Sequence, residues 1–268
     1  MAPRMMSPLF TLLTDFGAGS GYPAQVKAVL LSAIPDARIV DISHEVPRFD
    51  VSAGALLLEA CVPRFPDGTI HVAVVDPGVG TARRALCVVD AGGRRLVGPD
   101  NGLLEPFLGP GARVHRIAAG PDAALPEPEA ATFHGRDLFA PAAVLLAQGA
   151  APGRLGPPVA DPVRLAWPAA SRAGAAVEGE ALAADPFGNL VTSIRARDLG
   201  AAGPAGVRGA EVDGRAARWV RTFGEGGPGE LLVLLGSGGR VEVAVREGSA
   251  AAALGRARGV RVRLVLAG

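Results

Sequence analysis

Lysine and tyrosine are almost absent from this chain of 268 residues, and their scarcity excludes several chemistries. Lys27 is the only lysine, and it falls within a predicted helix without the Gly-Lys-Ser/Thr sequence of a phosphate-binding loop. Neither a P-loop nor a Schiff-base site therefore fits the sequence. Tyr22 is the only tyrosine, and histidine occurs at four positions: His44, His71, His115 and His134. Candidate functional side chains are few.

Cysteine is also scarce, and no run of apolar residues is long. Cys61 and Cys87 lie in apolar surroundings without the paired spacing of a zinc or redox site, so we expect reduced core cysteines, no metal and a cytoplasmic location. No apolar run approaches the roughly 20 residues of a membrane helix. The N-terminal segment MAPRMMSPLFTLLTDFG lacks the cleavage site of a signal peptide.

An excess of positive charge is missing as well. The formal net charge is +1, and no cluster of arginines is interleaved with aromatic residues, which argues against a nucleic-acid partner. Hydrophobic residues make up 49% of the chain, enough for a substantial core. We therefore expect a globular protein without a membrane or nucleic-acid partner.

The first part of the chain, residues 1–160, alternates apolar strands with helices. This order predicts an α/β domain with a mostly parallel sheet that has helices on both faces. Asp50 is the expected N-cap of the second helix. The segments that carry the prediction are LFTLLTDFG, YPAQVKAVLLSAIPD, ARIVDISH, DVSAGALLLEACVPRFP, TIHVAVVDPGVG, the hairpin RALCVVDAGGRRLVGPDNG and the helix GRDLFAPAAVLLAQGA.

A Pro-, Gly- and Ala-rich stretch follows, from which we predict a linker over residues 161–174. Residues 175–268 then consist of short alternating segments with glycine turns, which predict a smaller all-β barrel domain.

Polar side chains follow three of the predicted strands in the first domain. Asp15 ends the first strand, Asp41, Ser43 and His44 end the second, and Asp76 ends the third. Ligands of such sheets bind at the carboxyl ends of the strands. We therefore expect one shared crevice at this edge.

Asp76, Arg83 and His134 are the strongest candidates for chemistry. Each has an ordinary explanation, because Asp-Pro-Gly is a common turn, Arg83 fits a surface arginine and His134 fits a helix start. Together they suit a site that activates water: Arg83 would keep Asp76 ionised, and His134 would pass a proton onward. No Ser, Cys or Lys nucleophile lies beside them, so the nucleophile would be water or hydroxide.

Three further motifs each have two explanations from the residues alone. Asp15 is suited to bind the hydroxyls of a ribose or to cap the next helix. The segment DPFGN, residues 185–189, is also an ordinary turn, and GSGGR, residues 236–240, is most simply a hairpin turn.

The order and spacing of eight motifs resemble one known family. LLTDFG, GYPAQVKAVL, IVDISHEVPRFD, VVDPGVGTARR, GPDNGLL, TFHGRDLFAPAA, DPFGNLVTSI and GSGGRVEVAV occur as in the S-adenosyl-L-methionine hydroxide adenosyltransferases, which are related to fluorinating and chlorinating enzymes. The similarity covers residues 9–255. It implies a homotrimer in which the substrate lies between one subunit's N-terminal domain and its neighbour's C-terminal domain.

The resemblance also implies a reaction. In this family, water or hydroxide attacks the ribose 5′ carbon of S-adenosylmethionine and gives adenosine and methionine, with no cofactor. By similarity, Asp76, Arg83 and His134 match the trio of the hydroxide-using members. Halide-using relatives carry a serine at the histidine position.

The same resemblance assigns the substrate contacts. Asp15 would bind the ribose, and Phe49 would line the pocket near the reacting carbon. The remaining residues fall in the matched C-terminal segments: Asp185 and Ser237 for the methionine end, Asn189 and the backbone near Val245 for adenine, and Phe187 and Glu242 beside them. Many relatives would have an asparagine at Gly236, so the sequence departs from the pattern at the methionine end.

Two alternative functions are compatible with this architecture. One is a halogenase-type enzyme in which chloride or fluoride replaces hydroxide, which Arg83 and His134 argue against. The other is a non-catalytic protein that only binds S-adenosylmethionine or adenosine, for which the intact trio would have no use.

Overall fold

The computed structural model describes residues 7–267, and the chain divides into two compact units between Leu165 and Ala166. Residues 1–6, the start of the segment considered as a possible signal peptide, and residue 268 lie outside the described residues. Within residues 7–267, no helix has the length and apolar character needed to cross a membrane.

From residue 7 onward, the first unit contains one six-stranded sheet and three α-helices. Its elements are β1 (Leu9–Thr14), α1 (Tyr22–Ala33), β2 (Arg38–Ser43), α2 (Val51–Cys61), β3 (Ile70–Val74), β4 (Ala85–Val89), β5 (Arg95–Pro99), β6 (Arg113–Arg116) and α3 (Ala140–Ala147). The strand order is β2-β1-β3-β5-β4-β6. The pairings among β2, β1, β3 and β5 are parallel, whereas β4 is antiparallel to both neighbours. The predicted α/β class and the β4–β5 hairpin are confirmed.

Both faces of this sheet are covered, which explains why its central strands are almost uniformly apolar. Phe10 and Leu12 of β1 pack into one core cluster with Val26 of α1 and Ala143 of α3. Leu13 faces the opposite cluster, which also contains Leu58 of α2. Each of the Phe, Leu and Val side chains among these contributes roughly 1.5–3 kcal/mol when it is fully buried. The carboxyl ends of β1, β2 and β3 therefore meet at one fixed edge of the sheet.

The starts of the helices determine how the chain leaves that edge. Asp50 caps α2, accepting a 3.0 Å hydrogen bond from the Ala53 amide on Oδ1, as predicted. α1 begins after Gly21 without a side-chain cap, so the alternative that Asp15 caps this helix is wrong. α3 is preceded by one wide π-helical turn, Gly135–Phe139, which the sequence did not indicate.

The second unit is an all-β barrel, as predicted. Its elements are β7 (Ser171–Ala173), β8 (Ala176–Ala184), β9 (Leu190–Arg195), β10 (Val207–Val212), β11 (Arg215–Trp219), β12 (Leu231–Leu235), β13 (Arg240–Val245), α4 (Ala250–Leu254) and β14 (Arg261–Leu266). The order is β14-β10-β11-β12-β13-β9-β8, and β8 pairs with β14 to close a seven-stranded barrel, with β7 added outside β8.

Candidate active site

A cavity of about 660 Å³ lies at the carboxyl ends of β1 and β3 in the first unit. Asp15 follows β1 directly, and Asp76 lies two residues after β3. Both line the cavity together with Phe49 and His134. The crevice expected at this edge of the sheet is therefore present. Its volume is in the range of small-molecule sites.

Asp76, Arg83 and His134 form one hydrogen-bonded cluster beside this cavity. Arg83 Nε donates to Asp76 Oδ1 over 2.9 Å, and Nη2 makes a second, short bond to Oδ2. The same Nη2 lies 2.8 Å from His134 Nδ1. The Asp76 and Arg83 side chains are only 5% and 9% exposed, so water screens the pair weakly. The trio predicted from the sequence is assembled, and Asp76 serves Arg83 rather than capping its own turn.

Arg83 determines the protonation of His134. Its guanidinium has only donors, so the bond to Nδ1 requires a lone pair on that nitrogen, and the neutral ring carries its proton on Nε2. Burial lowers the pKa of His134, and the charge of Arg83 lowers it further, against the opposing charge of Asp76. The neutral ring thus offers an N–H donor from Nε2.

The π-helical turn brings His134 to the cavity. His134 is the residue before Gly135, and Asp137 within the turn accepts the Ala130 amide on Oδ2 over 2.9 Å, which closes the preceding loop. A Cβ on Gly135 would come within 3.2–3.3 Å of the Phe133 and Phe16 rings. Glycine therefore allows these rings to pack close to the backbone that carries His134.

Asp15 holds a strained residue at the rim of the cavity. Its Oδ2 accepts the backbone N–H of Phe49 over 2.9 Å. Phe49 has a φ of 65°, in the left-handed region that non-glycine residues rarely adopt, and its side chain is 68% exposed. Strained backbone of this kind is concentrated at ligand sites.

Three aromatic residues of the cavity were missed by the sequence reasoning. Phe16, Tyr22 and Phe133 line it and pack edge to face, with ring centroids 5.2–5.8 Å apart. Tyr22 is 52% exposed. The available signal was its uniqueness in the chain, directly after the glycine-rich segment GAGSG.

Three more of the sequence-predicted residues meet in a tight turn of the second unit. Asp185 accepts hydrogen bonds from the backbone amides of Phe187 and Asn189 on Oδ1, and from the Asn189 side chain on Oδ2 at 2.9 Å. The turn joins β8 to β9, so DPFGN is a turn as its residues indicated. It leaves the Phe187 side chain 79% exposed.

The remaining three residues predicted to contact the substrate lie on the β12–β13 hairpin. Ser237 is in the connection, Glu242 is within β13 and Val245 ends it, so the GSGGR segment is a hairpin turn. A Cβ at Gly236 would overlap the Glu242 carboxyl group, which takes the space of the expected asparagine. Burial raises the pKa of Glu242, and so does the nearby charge of Asp185. The turn before β9 and the β12–β13 hairpin are neighbours, because β13 pairs with β9 and Glu242 lies opposite Val191.

The structure therefore collects Asp15, Phe49, Asp76, Arg83 and His134 in the first unit and the other six predicted residues in the second. The polar group that ends the second strand, Asp41, Ser43 and His44, was also expected at the shared crevice, but none of the three lines it; His44 instead contacts Thr14 at the end of β1. Among residues 7–267, no three His, Cys, Asp or Glu side chains are grouped closely enough to hold a metal ion.

Comparison with known protein families gives two matches that together span most of the chain. The model of the SAM hydroxide adenosyltransferase N-terminal domain matches residues 10–156, and that of the corresponding C-terminal domain matches residues 179–263. The two models correspond to the two compact units.

Individual relatives agree with these matches. An (R)-S-adenosyl-L-methionine hydrolase of Thermus thermophilus is 43% identical over 97% of this chain and 100% of its own length. One from Salinispora tropica is 41% identical over 98% of this chain and 99% of its own. A fluorinase of an Actinoplanes species is more distant, at 28% identity over 75% of this chain and 76% of its own.

Two solved structures share the fold. The crystal structure of a conserved protein of Thermotoga maritima has a TM-score of 0.82 at 32% identity, covering 96% of this chain and 99% of that one. The structure of a conserved protein of Thermus thermophilus has a TM-score of 0.78 at 41% identity, with 97% and 100% covered.

Proposed function

Because the chain belongs to the SAM hydroxide adenosyltransferase family, we propose that it is an enzyme that hydrolyses S-adenosyl-L-methionine to adenosine and L-methionine. The observation that carries this function is the partly buried Asp76–Arg83–His134 cluster beside the cavity of the first unit. The names of the 41–43% identical relatives agree with it.

In the proposed reaction a water molecule attacks the ribose 5′ carbon. A lone pair on the water oxygen forms the O–C5′ bond, and the C5′–S bond breaks with its electron pair going to the sulfonium sulfur. One proton of the water passes to the Asp76 carboxylate and from there to solvent. Methionine leaves as a neutral thioether and needs no general acid.

Arg83 and His134 prepare Asp76 and the water for this step. Arg83 holds both oxygens of Asp76 and so fixes the direction of its remaining lone pairs. His134, with its proton on Nε2 and its Nδ1 occupied by Arg83, donates a hydrogen bond to the attacking oxygen and orients it, a role that replaces the onward proton transfer expected from the sequence. Bulk water has a pKa of about 15.7, so activation depends on this local arrangement.

We propose that no metal or other cofactor takes part. The sulfonium already carries the positive charge that activates the carbon, and the charge disappears as the bond breaks. Exclusion of water from the site would strengthen the attraction between this cation and the developing hydroxide. Positioning of the two reactants then supplies much of the rate.

The proposed substrate contacts follow the family pattern. Asp15 would bind the ribose hydroxyls, and Phe49 would cover the reacting carbon. The contacts proposed in the second unit are Asp185 and Ser237 for the methionine end, Asn189 and the Val245 backbone for adenine, and Phe187 and Glu242 next to them.

We further propose a homotrimer in which each site joins the first unit of one subunit to the second unit of its neighbour. The division of the proposed contacts between the two units supports this arrangement. The exposure of the large Phe49 and Phe187 rings supports it too, because exposed apolar surface often marks an interface. The cytoplasmic location predicted from the sequence stays a prediction, which cell fractionation would check.

Labelled water tests the reaction. Purified protein is incubated with S-adenosylmethionine in halide-free buffer made with heavy-oxygen water, and the nucleoside is analysed by mass spectrometry. We expect adenosine that carries one heavy oxygen, and a rate reduced on the order of 100-fold or more in Asp76→Asn. A 5′-halo nucleoside formed only after chloride or fluoride is added would instead establish the halogenase-type function. Bound but unreacted substrate would establish a binding protein.

A further inference from the structure

The backbone that carries Asp15 is attached to two buried side chains behind the cavity. Thr14, 1% exposed, accepts the Phe16 amide on Oγ1 over 3.2 Å, and the same oxygen lies 2.8 Å from His44 Nδ1. The carbonyl of His44 accepts the Gly17 amide over 2.7 Å. Both amides that follow Asp15 are therefore fixed through Thr14 and His44.

An irregularity between β1 and β2 brings these two residues together. Leu12 pairs with Asp41, but Leu13 pairs with Ser43, so Ile42 is an extra residue in β2. Such bulges redirect side chains and are common next to active sites. Here the bulge lies immediately before the end of β1, where Thr14 meets His44.

Asp41 and Lys27 extend this set of polar contacts beyond His44. They also determine which ring nitrogen of His44 carries the proton. His44 is 8% exposed, and its Nε2 lies 3.2 Å from Asp41 Oδ1, a close approach that is not a well-aligned hydrogen bond. The other oxygen of this carboxylate, Oδ2, accepts a 2.6 Å hydrogen bond from Lys27 Nζ. A carboxylate beside Nε2 favours the proton on that nitrogen. Nδ1 is then an acceptor, and the Thr14 hydroxyl donates to it while its oxygen receives the Phe16 amide.

We propose that Thr14 and His44 are positioning residues that hold Asp15 in place for the ribose hydroxyls of the substrate. This inference rests on the proposed function, because it takes Asp15 as the ribose ligand. Neither residue lines the cavity, and each acts through one of the two backbone amides that follow Asp15. Loss of the Thr14 hydroxyl would free the Phe16 amide and let the Asp15 carboxylate move relative to the ribose.

The same strand contains a matched control. Thr11 Oγ1 lies 2.7 Å from His71 Nδ1, and both residues are buried, but neither lines the cavity or bonds to the Asp15 segment. Thr11→Val therefore removes a buried Thr–His hydrogen bond of the same kind from the same strand. Any change in nucleoside binding by this variant therefore measures the effect of losing a buried Thr–His hydrogen bond without any effect on Asp15.

The test compares the binding of adenosine with that of 2′,3′-dideoxyadenosine, which lacks the ribose hydroxyls, by calorimetry. We expect Thr14→Val to weaken adenosine binding about tenfold and dideoxyadenosine binding less than about twofold. Thr11→Val should change the affinity for neither nucleoside by more than about twofold. Thr14→Ser, which keeps the hydroxyl, should bind adenosine like the wild type. In an Asp15→Asn background, Thr14→Val should weaken adenosine binding little further, because the effects of substitutions at coupled residues do not add.

A second pair of variants covers the case in which Thr14→Val does not fold. His44→Asn keeps an acceptor near the position of Nδ1 and should bind adenosine like the wild type, whereas His44→Gln should not. Equal losses for both nucleosides, or additive effects of Thr14→Val and Asp15→Asn, would overturn the positioning role alone. A wild-type protein that binds neither nucleoside would overturn the proposed function and this inference with it.

Discussion

Arg83 connects Asp76 and His134 through a single guanidinium. Because Nη2 serves both Asp76 and His134, the orientation of each depends on the other. Lysine has no planar fork of donors with which to replace it. The chemistry of the site is therefore a property of the cluster rather than of Asp76 alone.

The protonation of His134 predicts how activity depends on pH. Its pKa is lowered below 6.5 by burial and by Arg83, so the ring is neutral near pH 7. Protonation would place a hydrogen on Nδ1, expel the Arg83 donor and add a second positive charge. We expect kcat/KM to be constant above about pH 6.5 and to fall as pH decreases through the lowered pKa.

The matched variant for this prediction is His134→Asn, whose amide oxygen can replace Nδ1 as an acceptor but does not titrate. The pH profile of kcat/KM is measured for both proteins. The fall at low pH should be absent from the variant or shifted further to acid. An unchanged profile in the variant would show that another group controls it.

Phe49 should show opposite effects on stability and activity. The left-handed backbone at φ 65° costs a non-glycine residue roughly 1–2 kcal/mol, of which glycine recovers part against its greater freedom in the unfolded chain. We expect Phe49→Gly to raise the free energy of unfolding by up to about 1 kcal/mol in urea titrations. The turnover of S-adenosylmethionine should fall, because the exposed ring is lost.

Glu247, with φ 58°, is a second non-glycine residue in the left-handed region and serves as a control. Glu247→Gly should give a similar gain in stability. If Phe49→Gly were destabilised while Glu247→Gly was stabilised, strain at Phe49 would not be the controlling factor.

Much of the site could be predicted, but not the contacts within it. Asp15 and Asp76 follow strands that are plainly apolar, so their common edge follows from the fold class. Arg83 and His134 are 51 residues apart, and although their chemistry and the family resemblance both grouped them with Asp76, neither gave the contact between the guanidinium and the imidazole. Phe49's positive φ has no sequence signal, since no glycine or asparagine occupies the position.

At the scale of the element, β1 contributes two buried polar contacts in addition to its apolar core residues. Its buried threonines, Thr11 and Thr14, pair with histidines of the neighbouring β3 and the β2 end. The sequence indicated the strand and its polar terminus. It did not indicate the bulge opposite Leu12 and Leu13 or the π-helical turn before α3, because both insert a residue without a distinctive composition.

His71 predicts a loss of stability in acid. Burial and the charge of Arg94 lower its pKa to about 4, from 6.5 in the unfolded chain. Because the folded pKa is depressed, this contribution is fully present above about pH 6.5 and is lost as pH falls through about 4. The shift corresponds to about 3 kcal/mol.

Urea unfolding at pH 7 and pH 4 measures this effect in the wild type and in His71→Asn, which cannot titrate. The variant should lose less stability than the wild type over that interval, by about 3 kcal/mol. Equal losses in the two proteins would mean that folding does not lower the pKa of His71.

At the scale of the whole molecule, the proposed trimer predicts complementation between two inactive variants. Asp76→Asn inactivates the first-unit part of a site, and Asp185→Ala inactivates the second-unit part. If each site joins two subunits, mixed trimers contain some sites with both parts intact. Random mixing in equal amounts, by unfolding and refolding together, should restore about a quarter of wild-type activity.

Sites contained within one subunit would give no recovery above that of the separate variants. Light scattering provides the companion measurement, with an expected mass of three times the 27.1 kDa chain. A monomeric mass together with full wild-type activity would contradict the shared site.

The closure of the barrel by β14 has a consequence for synthesis on the ribosome. β14 follows every other described strand in sequence, yet it fills the gap between β10 and β8, where it pairs with both. Until residues 261–266 emerge, the nascent second unit has two open strand edges, whereas the first unit is already complete and free to fold. A chain released before residues 261–266 are made would therefore have a folded first unit and a second unit prone to edge-to-edge aggregation.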